Sequence, residues 1–254
     1  MTFSVRCSSC GRREAFYYRR ASGEKLCFPC LEKSLMKNIR RSFSEFSSRL
    51  SVKPVLNVLI LPERVVEGYA LTLLLSKVER RYGGQVAFTV PKSVFKFLID
   101  SQYIEEGLNV ITYDDEILSD KDCYTVLDSL NDSLKLIQKI RSEGQRVDAF
   151  ILPYTLTDLN QALLEYLLIK RGEGLNPLNV KVVDKHPIIY PFKAVPRADV
   201  IAYVLGVKGY NTLNFIGRPY CSRYSEVKHV VYDIIAKHAE LSYTMLKSLT
   251  WFSS

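Results

Sequence analysis

Short apolar runs alternate with amphipathic stretches from Val55 to Val183, and this alternation predicts an α/β fold organised around a doubly wound parallel sheet. Ahead of it, two C-x-x-C pairs within the first 30 residues predict a small metal-held ribbon, and a helical run with basic flanks joins ribbon to sheet. Four units follow: the ribbon over 1–30, a basic connecting helix over 31–50, the α/β domain over 55–183 and a mostly helical C-terminal extension over 184–254.

The ribbon is the most specific signal. Cys7-Ser-Ser-Cys10-Gly11 and Cys27-Phe-Pro-Cys30 lie 16 residues apart, the ligand count and spacing of a four-cysteine structural zinc site. Each knuckle offers two thiolates from a tight turn, and Gly11 supplies the backbone freedom that such a turn requires. The stretch between, aromatic over Glu14 to Arg20 and turning at Ala21 to Glu24, suits a short hairpin with almost no core of its own. Four clustered thiolates are tolerable only around a cation, so Cys7, Cys10, Cys27 and Cys30 are expected to hold structural Zn²⁺ rather than to act as a redox pair or to carry an iron–sulfur cluster.

From Leu31 to Leu50 the apolar positions Leu31, Leu35, Ile39, Phe43 and Phe46 recur every three or four residues, which predicts an amphipathic helix. Strands are expected at 55–61, 85–90, 109–113, 147–152 and 180–183, with an extended stretch at 187–194. Helices are expected near 69–81, 92–101, 124–142, 158–170, 197–207 and 224–249.

Charge is distributed unevenly. Residues 1–50 carry 11 basic and 4 acidic side chains, whereas residues 101–150 carry 5 basic and 11 acidic, so a net formal charge of +8 conceals two faces of opposite sign. The acidic run reads as a solvating face. At the N-terminus the charge coincides with the metal motif, and Arg12, Arg13, Arg19, Arg20, Lys37, Arg40 and Arg41, with Lys33, are expected to bind RNA phosphates beside Tyr17 and Tyr18, whose rings can stack on bases. No apolar run approaches the ~20 residues that cross a bilayer, and the first ten residues lack the apolar segment of a secretory signal. A cytoplasmic protein with reduced thiols and no membrane partner is expected. The three histidines assemble no catalytic set: His229 and His238 are nine residues apart, on opposite sides of a helix, and His186 precedes a proline.

The sequence of units resembles the tRNA thiolation branch of the PP-loop ATP pyrophosphatases, over nearly the whole chain. Cys7-x-x-Cys10-Gly11, Arg19-Arg20 and Ser22-Gly-Glu24-Lys-Leu-Cys27-x-x-Cys30 are similar to the family's opening ribbon. Asp158-Leu-Asn-Gln161-Ala-Leu-Leu-Glu-Tyr-Leu-Leu168 resembles the helix that follows its G-H-N-x-D-D signature, and Ile189-Tyr-Pro191-Phe and Arg218-Pro-Tyr-Cys221-Ser resemble later landmarks. The resemblance implies an adenine-nucleotide-hydrolase-like sheet, ATP chemistry at the loop after the first strand, and tRNA as substrate.

That loop departs from the family. Where S-G-G-x-D-S would wrap phosphates, this chain has Pro62-Glu-Arg-Val-Val-Glu67-Gly68-Tyr69. An anion nest needs converging backbone N–H groups without fixed negative charge. Pro62 has no N–H, Val65 and Val66 avoid positive φ, Glu63 and Glu67 repel phosphate, and only Gly68 is permissive; Arg64 alone does not replace a nest. ATP is therefore not expected as a cofactor. Tyr154 stands in place of the signature's His and Thr157 in place of its first Asp, while Asp158 is retained, equally explained as a first-turn carboxylate. Outside the ribbon only Cys123 and Cys221 remain for thiol chemistry. Cys221, Cys123 and Asp158 are the weak catalytic candidates.

A fold retained without its phosphate loop implies a non-catalytic member of the family, a pseudoenzyme that binds tRNA and docks on a catalytic paralogue or on a second copy of itself. Two alternatives stand beside it: an active ATP-dependent 2-thiouridine synthetase with a divergent loop, and an unrelated zinc-ribbon nucleic-acid-binding protein.

Overall fold

The computed structural model describes residues 5–20, 22–50, 53–79, 85–95, 109–114, 124–169, 182–183 and 185–209, together with positions 229, 230, 233, 237, 238, 241 and 243–245. A two-stranded antiparallel hairpin, β1 (Tyr17–Arg19) and β2 (Glu24–Leu26), forms the ribbon. Its turn places Gly23 at φ +70°, the left-handed conformation that glycine adopts without strain. Helix α1 (Phe28–Ser44) starts inside the second knuckle, because Pro29 suits a first helical turn, and buries Leu31, Leu35 and Ile39 as the periodicity predicts. A single turn of 3₁₀ helix at Ser47–Arg49 follows it.

The body is a six-stranded sheet of β3 (Val55–Leu59), β4 (Gln85–Pro91), β5 (Asn109–Tyr113), β6 (Ala149–Ile151), β7 (Val182–Val183) and β8 (His186–Ile189). The strands lie in the order β5-β4-β3-β6-β8-β7, all parallel except the β7–β8 hairpin at one edge. The chain winds outward from β3 in one direction through β4 and β5, then returns to the other side of β3 with β6. The topological switch point therefore lies between the carboxyl ends of β3 and β6, where sheets of this kind bind their ligands. Strand β8, expected within the C-terminal extension, pairs with β6 in this central sheet.

Helices cover both faces. Leu56, Val58, Ile60, Phe88, Val90, Ala149, Ile151 and Ile189 point to one side, where they share a core with α1, with α2 (Val65–Glu79) and with α5 (Arg197–Lys208). Leu59, Phe150, Leu152 and Ile188 point to the other, against α3 (Val126–Ser142) and α4 (Leu156–Ile169). Strand alternation sorts consecutive residues into the two cores. Thr125 caps α3 in a reciprocal box with Asp128: its Oγ accepts from the Asp128 N–H at 3.1 Å, and its own N–H donates to the Asp128 carboxylate at 3.0 Å.

The helices lie near the expected positions, except that the connecting helix, expected to reach Leu50, stops at Ser44 ahead of the 3₁₀ turn at Ser47–Arg49. The segment expected as an open loop between β3 and α2 is a tight 3₁₀ turn, Pro62–Arg64, that runs straight into α2. Gly68 is accordingly not a loop glycine. It lies within α2, where a Cβ would come 2.8 Å from the Ile60 side chain, so its role is close packing of helix on strand. The expected helix at 92–101 is described only over its first residues, and most of 224–249 lies outside the described residues. Among the described residues, no helix is long and apolar enough to cross a membrane.

Candidate functional site

The four ribbon cysteines converge as their spacing requires. The Sγ atoms of Cys7, Cys10, Cys27 and Cys30 all lie within 4.8 Å of one another, with Cys10 and Cys27 at 3.8 Å. A tetrahedron with metal–sulfur bonds of about 2.3 Å has edges of about 3.8 Å, so the group fits a single ion. A cubane, which seats four thiolates on four separate irons, spreads them further. Backbone N–H groups aim at the sulfurs as well. Cys7 is lowered to about 6, chiefly by the backbone N–H of Cys27, while desolvation pushes Cys30 up to about 12. The first knuckle is closed by Gly11 N–H donating to the Cys7 carbonyl at 2.8 Å, with Gly11 at φ +65°. The backbone N–H groups of Arg12 and Arg13 point at the Cys10 sulfur, which fixes the origin of two exposed arginine side chains.

The ribbon is fastened to the body by side chains that the charge pattern assigned to RNA. Arg19 donates from Nε to Asp199 Oδ2 at 2.8 Å, reaches Glu24 at 2.6 Å and donates to Ser34 Oγ at 3.2 Å. Tyr17 donates its hydroxyl to Asp199 Oδ1 at 2.8 Å. Arg19 and Tyr17 are thus corrections: both are half-buried pins between hairpin, α1 and α5, with Arg19 held cationic by Asp199 against its own burial. Phe28 stacks on Tyr203 at 5.4 Å beside them, and Gly206 leaves room for the Phe28 ring. Arg12, Arg13, Arg20, Lys33, Lys37, Arg40 and Arg41 remain exposed. On α1 the last four of these share the face opposite Leu31, Leu35 and Ile39.

At the switch point, the turn after β3 turns its own side chains inward. Arg64 is fully buried, and its Nη1 lies 2.6 Å from Asp158 Oδ1 and 4.0 Å from Glu67 Oε1. Its guanidinium also lies over the ring of Tyr154, 4.9 Å from the centroid. Glu67 receives a second cation, Arg197 Nε at 2.5 Å, and the Arg197 backbone N–H donates to Thr157 Oγ1. Two arginines thus face two carboxylates. Asp158 also accepts from the Thr155 N–H at 2.9 Å and its hydroxyl at 2.6 Å, which caps α4. Burial drives the Asp158 carboxyl upward, but Arg64, Arg197 and the Thr155 donors outweigh it and hold it below its ordinary value.

Two serines, Tyr154 and a further carboxyl complete the cluster. Ser129 donates to Glu63, whose carboxyl burial pushes up, and Tyr154 OH lies 2.5 Å from Ser129 and 3.0 Å from Ser133. Tyr154 is completely buried, and so is Glu67. Among the described residues, the carboxyl ends of β3 and β6 are therefore filled by the chain's own ions and rings. Of the sequence-derived candidates, the structure brings together Glu63, Arg64 and Asp158 here; Pro62 only starts the turn, and Gly68 packs behind it. Cys123 and Cys221 lie outside the described residues. Sequence reasoning missed Glu67, Arg197, Ser129 and Ser133 as members of one cluster; the N-terminal placement of Asp158 in a helix was its only visible trace.

No family model matches the sequence, and no protein of curated function matches it. Among solved structures the fold is shared with the U34-tRNA thiolase NcsA from Methanococcus maripaludis, described with its [4Fe-4S] cluster, at a TM-score of 0.67 and 14% identity over 97% of this chain and 86% of that one.

Proposed function

We propose that this chain is a non-catalytic subunit of a tRNA wobble-uridine 2-thiolation complex, of the thiolation protein 2 kind, which binds tRNA and docks on a catalytic paralogue. The fold it shares with a U34-tRNA thiolase supports the thiolation part of the proposal. One observation carries the non-catalytic part: the ligand-binding end of the sheet is occupied by Arg64, Tyr154 and their carboxylate partners, where a nucleotide's phosphates would need open backbone donors. Arg64 is thus the cation of an internal pair rather than a free phosphate ligand, which disfavours a working synthetase.

The metal is zinc. Four thiolates at single-ion spacing suit it, and beyond the ribbon the chain has only Cys123 and Cys221, fewer than the four that a [4Fe-4S] cluster takes. Titration calorimetry with ATP and magnesium tests the empty nucleotide role. No heat of binding is expected, and micromolar affinity in the parent protein would overturn the reading of the switch point as closed to nucleotides and favour the working-synthetase alternative.

RNA is held by the exposed cations, Arg12 and Arg13 from the knuckle, Arg20 from the hairpin, and Lys33, Lys37, Arg40 and Arg41 from α1. Arg40→Glu/Arg41→Glu is expected to weaken tRNA binding at least tenfold and to reduce the slope of log affinity against log salt by about 2, roughly one per phosphate contact. Fluorescence anisotropy at several salt concentrations measures both, and a flat salt response in the parent protein would remove tRNA as the ligand. Co-purification from native cells distinguishes a catalytic paralogue from a second copy of this chain.

A further inference from the structure

We propose that the outer face of the β1–β2 hairpin is a stacking platform for an unpaired nucleotide of the bound RNA, with Tyr18 beneath the base and Arg20 and Lys25 on the flanking phosphates. It rests on the RNA-binding role above and names what that surface recognises. Strand alternation is the starting point. Tyr17 and Arg19 turn inward to Asp199, so Tyr18 between them turns outward, and Arg20, in the turn just past the strand, is exposed. Tyr18 is 54% exposed, and Lys25 stands directly opposite it across the hairpin. Directly paired side chains of an antiparallel ladder have Cβ atoms about 5 Å apart, so the ammonium lies within reach of a phosphate attached to a base on the Tyr18 ring. Phe16 is also exposed, but its ring already lies against Phe28 at 6.0 Å. Glu24, the acidic residue of the hairpin turn, is matched by Arg19 and Ser22, so it does not oppose a polyanion on this face.

The platform is stiff. Ser8 bonds the Lys25 backbone on both sides, accepting from its N–H at 3.0 Å and donating to its carbonyl at 3.1 Å, which ties β2 to the metal knuckle. The pins at Asp199 and Ser34 hold the other face. A rigid aromatic surface loses little freedom on binding, so most of the stacking energy appears as affinity. Bases in a duplex hide their π-faces in the helical stack, and only an unpaired nucleotide can offer one to a side chain. The ligand is therefore single-stranded or looped RNA.

The test uses the full-length zinc-loaded protein, a 15-nucleotide oligouridylate and a blunt RNA duplex of the same length. Tyr18→Ala is expected to weaken oligouridylate binding by about tenfold, the size of one base–aromatic stack, and to leave duplex binding unchanged. Tyr18→Phe, which keeps the ring, is expected to bind like the parent. In a Trp251→Phe background, Tyr18→Trp is expected to be quenched by oligouridylate and not by duplex. Unchanged oligouridylate affinity in Tyr18→Ala, or an equal loss on both RNAs, would overturn the platform while leaving RNA binding intact. Failure of the parent protein to bind either RNA would overturn the RNA-binding role itself.

Discussion

Stripping the metal with a strong chelator, or replacing Cys27 by serine, is expected to unfold the ribbon and sharply weaken RNA binding while the α/β body stays folded. The strands β1 and β2 have three residues each, and the buried apolar side chains of the ribbon are few: Cys7, Leu26 and Cys27. Such a unit cannot repay the ordering entropy of some 25 residues, at about 1–2 kcal/mol each, from hydrophobic burial. Structural zinc contributes on the order of 10–16 kcal/mol in comparable sites, more than enough to decide whether the ribbon folds. Once the knuckles open, nothing keeps Arg12 and Arg13 in place, and Tyr17 and Arg19 lose the hairpin that presents them to Asp199. Hydrogen exchange should show loss of protection over 5–27 with protection retained in β3, β4 and β6, and anisotropy should show tRNA affinity falling together with the metal content, down to what the α1 cations supply. Full ribbon protection in the metal-free protein would refute the dependence.

How legible all this was depends on the range of the interaction. The convergence of the four cysteines could be read directly, because two C-x-x-C pairs encode ligand number and geometry within 24 residues. The same holds for α1, whose buried stripe Leu31, Leu35 and Ile39 follows from a 3.6-residue period, and for the central strands, whose apolar runs are continuous because both faces are covered. The proposed RNA face was legible only in part. Counting charge treats Arg19 and Arg20 alike, yet the hairpin sends one to Asp199, 180 residues away, and the other to solvent. The switch point was the least legible. The unfitness of the 62–68 turn for phosphate could be read from Pro62 and the two glutamates, but the reason that the turn is stable could not. Arg64 finds its partners at positions 67, 154 and 158, and a fully buried arginine runs against its ordinary distribution.

That burial makes Arg64→Met the substitution with the largest expected effect on the body. Methionine fills much of the volume but leaves the Asp158 carboxylate buried without its closest cation, and breaking a buried pair in this way costs about 3–5 kcal/mol. Arg197 still serves Glu67, so Asp158 bears most of the loss. Removing its charge as well, in Arg64→Met/Asp158→Asn, is expected to recover a large part of the stability, because the two residues are coupled and their separate effects do not add. Acid titration offers an independent measure. The Asp158 carboxyl is held below its ordinary value of 3.8, so its contribution is fully present above that value and is lost as pH falls through the lower folded-state value. Glu63 has the opposite sign: raised above its ordinary 4.5 by burial, it favours the folded state at low pH, and that contribution is lost as pH rises through the folded-state value. Denaturant melts from pH 2 to 7 should therefore show an acid loss of stability that Asp158→Asn removes and Glu63→Gln does not. If Arg64→Met melted within about 1 kcal/mol of the parent, the guanidinium would be a passive filler and not the cation that holds the closed switch point together.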